Sequence, residues 1–291
     1  MSFYIFNKLN GSAFGWLVTT SLVLSGFSLQ AQMRYTDEET TMGTGDSVVY
    51  LLTTHEPLNG VVYNEYKNGK LEYEMRFEDG LLDGHCYSWF ETGQLKEETI
   101  FIRGKENGLS TEWFSNGKLS VEVNYKNGKY QGEYKSWYDN GSLKYQLNYV
   151  NGKMDGLSKG WYENGQLKSE ENFSVGMKEG PCNYWYGNGQ LQYQSIFRNG
   201  KPEGTLKNWS ASGTLTLTFN FHAGKENGSC KGWHENGQLS FDANYVDGKL
   251  DGVYKEWYTN GQLKIEEIYT LGVLKESKCW DENGAVKECG K

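Results

Sequence analysis

The 291-residue chain has little proline, little histidine and no excess of basic charge: 3 Pro, 4 His, and 29 Lys+Arg against 37 Asp+Glu, for a net charge of −8. A nucleic-acid groove needs a basic stripe, so the charge balance argues against that class. It argues in the same direction against docking on anionic lipid. No G-x-S-x-G elbow, P-loop or H-E-x-x-H motif occurs, which leaves the common nucleophile, nucleotide and zinc-protease chemistries without their residues. None of His55, His85, His222 and His234 has metal-ligand spacing to another His or Cys, and no metal or cofactor is expected. Disorder is not expected either: disordered chains are poor in aromatics, and aromatics make up 15% of this one. With 37 Gly beside them, short strands and tight turns are the expectation.

The first 31 residues read as a secretory signal. Lys8 supplies the positive start, Ala13 to Gly26 a short apolar stretch, and Ser28 to Gln32 a site suited to cleavage after Ala31. The apolar stretch is shorter than the roughly 20 residues that cross a bilayer, so no transmembrane span is expected after cleavage. No Cys lies near that region, which excludes a bacterial lipoprotein anchor. The expected location is secreted, periplasmic or otherwise in a bacterial cell envelope.

Beyond the leader the chain repeats itself. Glycines fall at 60, 84, 108, 132, 156, 180, 204, 228 and 252, with parallel series starting at 69 and 80, and every step is 24 residues. Eight of the ten tryptophans keep the beat: Trp89, Trp113, Trp137, Trp161, Trp185, Trp209, Trp233 and Trp257. Trp280 comes one residue early and marks a degenerate last unit. Equal units touch their neighbours in equal ways. Within a unit the apolar spacing is even, as from Leu167 to Phe173, so these residues share one face of a strand. The expectation is an all-β, elongated array of about nine antiparallel β-hairpins, forming a single-layer twisted meander. Residues 1–31 are assigned to the signal, 32–59 to a flexible lead-in and N-terminal cap, 60–275 to the array and 276–291 to a degenerate C-terminal cap.

Each unit needs two turns. Asn-Gly recurs at 68–69, 116–117, 140–141, 164–165, 188–189, 236–237 and 260–261, and this pair suits a type I′ turn, in which both central residues have φ > 0. A two-residue turn puts Tyr162 opposite Leu167 and turns Trp161 to the face of Lys168 and Glu170. A three-residue loop places Trp161 on the Leu face instead. The second turn is a Gly-Lys-x-x-Gly loop, as from Gly152 to Gly156.

Tyr149-Val-Asn-Gly152-Lys-Met-Asp-Gly156, followed by Tyr162-Glu-Asn-Gly165, resembles the MORN repeat family over residues 60–275. Only three residues separate the first two glycines, where that family has four. The added Trp and the Asn-Gly-Gln-Leu run resemble the bacterial variant repeat often described as an antitoxin component of toxin–antitoxin systems. The resemblance implies a meander of hairpins and no catalytic residues.

The residue rows agree with that absence of chemistry. Glu74, Glu98, Glu122, Glu170, Asp242 and Glu266 occupy one repeat position, shared with Gln146, Gln194 and Thr218. A catalytic carboxylate pair would be unique, whereas this ladder reads as a solvated face with Lys96, Lys144, Lys168 and Lys264 nearby. Cys86, Cys182 and Cys230 share another position and read as small buried fillers. Cys279 and Cys289 flank the last hairpin and could pair across it in an oxidising compartment. The eight tryptophans named above are candidate binding aromatics, or else they hold the sheet together. The expected function is a non-enzymatic secreted or envelope scaffold that binds a protein or envelope component. The alternatives are an antitoxin-like neutraliser and a glycan or cell-wall binding module, since Trp-Tyr with Asn-Gly also loosely resembles aromatic-rich cell-wall repeats.

Overall fold

A computed structural model describes residues 32–43 and 47–289, so the leader assigned to 1–31 lies outside the described residues. The described chain is all-β apart from one 3-10 turn at Asp37–Glu39. Twenty-four strands belong to a mostly antiparallel sheet built from the 24-residue repeats. Among the described residues two compact units are distinguished, one running to residue 132 with 139–141 and the other comprising residues 133–138 and the chain from 142 onward.

In the first unit, the segment expected as a flexible lead-in has more structure than its polarity suggested. Arg34–Thr36 pairs in parallel with Gly60–Glu65. Thr40–Met42 pairs antiparallel with Val49–Leu51 in a small separate sheet. Val49, Leu58, Val62 and Phe77 bury one another there, with Tyr35, Leu51 and Tyr73 packed against them. Apolar side chains from the cap thus shield the first hairpin from water. Hairpin strands follow in chain order from Leu71–Glu78 to Leu119–Lys126.

The second unit continues the same alternation, from Leu143–Val150 to Val273–Trp280, with a short last strand at Val286–Lys287. Within each repeat a small side chain sits at mid-strand. Cys182 lies opposite Ser195 and Cys230 opposite Ala243, all of them buried. Larger rings close over this row: Phe219 lies 5.7 Å from Tyr245, centroid to centroid. Such a single layer buries little beneath any one side chain, which is why small residues serve at its centre.

The turns differ from the sequence expectation. At Tyr162–Gln166 the Tyr162 N–H donates to the Gln166 carbonyl at 2.9 Å and the Gly165 N–H donates to the Tyr162 carbonyl at 2.9 Å. Gly165 has φ of 83°, while Asn164 is not in the left-handed region. This is a three-residue loop, a type I turn closed by a glycine bulge, not the two-residue type I′ turn. Trp161 consequently lies opposite Leu167. The same register recurs at Trp89–Leu95, Trp113–Leu119, Trp185–Leu191, Trp209–Leu215, Trp233–Leu239 and Trp257–Leu263.

The two-residue turn is at the other end of the hairpin. Asn151 and Gly152 both have positive φ, 51° and 79°, between paired Val150 and Lys153. Asp79, Arg103, Asn127, Val175, Asn199, Ala223, Asp247 and Leu271 take the same left-handed place in the other repeats.

Candidate binding surface

The repeats are tied along both ends of their strands. At the three-residue loops, the Asn164 amide donates to the Gly187 carbonyl at 3.0 Å, and its oxygen accepts the Gln166 N–H at 3.1 Å. Asn68, Asn188, Asn236 and Asn260 repeat both contacts. Beside them, the Tyr162 hydroxyl donates to the Trp185 carbonyl at 2.8 Å, and Tyr66, Tyr138, Tyr186 and Tyr258 bond the next unit's Trp in the same way. At the type I′ turns a carboxylate takes over the role. Asp155 accepts the Val175 N–H at 3.0 Å, and Glu203 accepts the Ala223 N–H at 2.7 Å. The recurring loop Asn and Tyr and the turn carboxylate therefore each satisfy a backbone group of the following unit.

All eight repeat tryptophans are half-buried. Their backbone carbonyls and their pairing with Leu serve the array, while part of each indole faces water.

Much of the carboxylate ladder is paired, though not with the lysines expected. Lys159 meets Glu170 at 3.1 Å, Lys231 meets Asp242 at 2.9 Å, and Lys255 meets Glu266 at 3.2 Å, each across neighbouring strands. Lys144, Lys168 and Lys264 instead lie over the rings of Tyr138, Tyr162 and Tyr258, at 5.3, 5.5 and 5.7 Å. A cation over a ring face is a favourable, partly desolvated arrangement. Exposed pairs of the ladder type contribute little individually.

One polar cluster departs from the small-residue row. Glu171 stands opposite Cys182, accepting from Lys178 at 2.5 Å and from the Tyr184 hydroxyl at 2.6 Å. Against desolvation by burial, hydrogen bonds to Glu171 and Tyr184 hold the Lys178 ammonium above its ordinary value. Burial, and then the bond to Glu171, raise the Tyr184 phenol. These groups compensate one another.

Burial pushes the Cys86 thiol up to about 11 and the Cys230 thiol up to about 12. Cys279 and Cys289 are joined by a disulfide, with Cα atoms 5.3 Å apart. His85 faces Glu98, His222 faces Glu203, and His234 replaces the loop Tyr by bonding the Trp257 carbonyl at 2.9 Å. Among the described residues no group of three or more His, Cys, Asp or Glu is placed to hold a metal ion. No helix among them is long and apolar enough to cross a membrane.

Shallow troughs lie between neighbouring repeats. One of about 410 Å³ is formed by the rings of Tyr184, Tyr186, Tyr193 and Trp209, with Gln192, Asn208 and Thr216. Of these only Trp209 was singled out from the sequence. The others come from strands of adjacent units, brought together by hairpin register.

A family model described as a MORN repeat variant matches residues 58–79, 82–102, 106–127, 130–151, 154–174, 178–199, 226–247 and 250–270. No curated protein matches the chain. Among solved structures, a chain from the crystal structure of TcdB2-TccC3 is similar over 82% of this chain and 17% of that one. Its identity is 11% and its TM-score 0.20, a likeness too slight to support an argument.

Proposed function

Because this chain belongs to the MORN repeat variant family, we propose that it is a non-enzymatic scaffold that binds a protein or envelope component along its hairpin sheet. The observation that carries the reading is the tryptophan row: eight equivalent indoles, half-buried, on a sheet that the small N-terminal sheet covers at its first hairpin. A repeated, partly exposed aromatic row offers binding area at low side-chain entropy cost. No copy holds a distinctive reactive group. The ladder carboxylates Glu170, Asp242 and Glu266 are ion-paired and the three mid-strand thiols are buried. A secreted or envelope location is part of the proposal, supported by the leader-like Lys8 to Ala31 segment and by the Cys279–Cys289 disulfide.

The test is capture followed by reconstitution. The purified chain is immobilised and exposed to an envelope extract of the source cell, and whatever is retained is purified and titrated back. A saturable complex that protects the Trp-bearing strands from hydrogen exchange supports the scaffold. A single tight complex that silences a toxin would assign a neutraliser instead. Turnover of a retained molecule, abolished by one side-chain change, would overturn the non-enzymatic reading.

A further inference from the structure

We propose that the Tyr184–Trp209 trough is a subsite for a neutral saccharide, a deepening that rests on the binding-scaffold reading. Three independent observations converge on it.

The first is charge. Residues 181–223 contain only Arg198, Lys201, Glu203 and Lys207 as charged side chains, where the chain's 23% average would give about ten. Three of those four cluster around the Asn199-Gly200 turn. At the repeat position where Lys144, Lys168 and Lys264 cover a Tyr ring, this segment has Gln192 and then Thr216. On the ladder, the Lys–Glu pair is replaced by Gln194 donating to Asn183 at 3.2 Å. Comparable troughs elsewhere contain Lys231 and Asp242, or Lys70, or Glu133 and Lys159, whereas this one contains no charge.

The second is geometry. The rings are held before any ligand arrives. Tyr184 is fixed by Glu171 and Lys178, and Tyr186 by its bond to the Trp209 carbonyl. Between them lie the side-chain amides of Gln192 and Asn208, which have no hydrogen-bond partner among the described residues. Lys178 lies over the Tyr184 ring at 5.4 Å, which leaves the Tyr186 and Trp209 rings to take the C–H face of a pyranose, and an amide beside them offers a donor and an acceptor to adjacent hydroxyls. Such a mixture, apolar faces with a few convergent polar groups, is the composition of a small-ligand site. The charges nearest the trough, Lys178 and Glu171, are paired with each other and with the Tyr184 hydroxyl, so neither is left to hold a charged sugar.

The third is divergence. The family model matches the repeats on either side but lapses between residues 199 and 226. The unit that the family model does not match keeps the 24-residue step and is the one that supplies Asn208, Trp209 and Thr216.

The test titrates the full-length chain with chitotetraose, cellotetraose and maltotetraose, and with a uronic-acid tetrasaccharide as the charged control, following aromatic fluorescence and heat. At least one neutral sugar should bind with a Kd of about 1 mM or tighter, and the charged control more weakly. Q192K and T216K restore the side chain the array carries at equivalent positions, so they should fold. Each should weaken binding about tenfold, the worth of one good hydrogen bond. K144Q, in another repeat, should change nothing. Absence of binding by every neutral sugar up to about 10 mM overturns the assignment, as does binding that Q192K and T216K leave unchanged. If an envelope partner is still captured in that case, the scaffold reading survives alone; if capture also fails, both fall.

Discussion

Val175 stands at φ of 51°, the left-handed place that Asn127, Asn151 and Asn199 fill in other repeats. A β-branched residue is strained there, at a cost of about 1–2 kcal/mol, and Asn relieves part of it by bonding its own backbone. V175N should therefore stabilise the chain by about 1 kcal/mol, and N151V should destabilise it similarly, in urea titrations of the full chain. A second residue-scale outcome concerns the thiols. The thiolate is the nucleophile, and burial raises Cys86, Cys182 and Cys230 away from that form. Native protein in iodoacetamide at pH 8 should leave all three unmodified, and denaturant should expose them. Rapid labelling of the native chain would contradict their buried placement.

At the scale of the hairpin, strand positions and the even spacing of apolar residues were readable from sequence, but the turn types were not. Asn-Gly fits two geometries. In a type I′ turn both residues need positive φ, whereas in the three-residue loop only Gly does, and Asn is kept for its side chain. Asn164 illustrates this, bonding Gln166 and Gly187. The true type I′ pairs are more varied, with Val175, Ala223 and Leu271 among them, so the stronger Asn-Gly signal pointed to the wrong end of the hairpin. Of the two faces the sequence left open for Trp161, the three-residue loop gives it the one opposite Leu167. The trough was missed for a related reason: Tyr184, Gln192 and Asn208 meet only through strand register, although the charge-poor run from 181 to 223 was visible. The Tyr–Trp ties give a prediction here. Y162F and Y186F each remove one hydrogen bond to a Trp carbonyl and should cost about 0.5–1.5 kcal/mol. The array already carries Phe90 and Phe114 at this position, so neither variant should unfold. No change in the urea midpoint would show that the ladder adds nothing.

At the scale of the whole chain, every copy is a building block, and on the proposed reading function resides in what the repeated face offers. The 24-residue period without insertion made this legible before any coordinates, because nearest-neighbour packing of equal units demands equal lengths. The ligand was not legible, since a repeated residue cannot mark a unique site and only departures from the pattern can. The most direct measurement compares two deletions by far-UV circular dichroism and thermal melting. Removing residues 201–224 takes out one period and rejoins Asn199-Gly200 to Lys225, leaving every later strand in phase. Removing residues 207–229 instead sets Leu206 beside Cys230, two residues of the same repeat position, in mid-strand, which shifts the rest of that strand by one residue and turns its side chains to the opposite face. The 24-residue deletion should keep a β spectrum and a cooperative melt, and the 23-residue deletion should lose both. Equal behaviour of the two, folded or unfolded, would contradict the repeat as the unit of this protein.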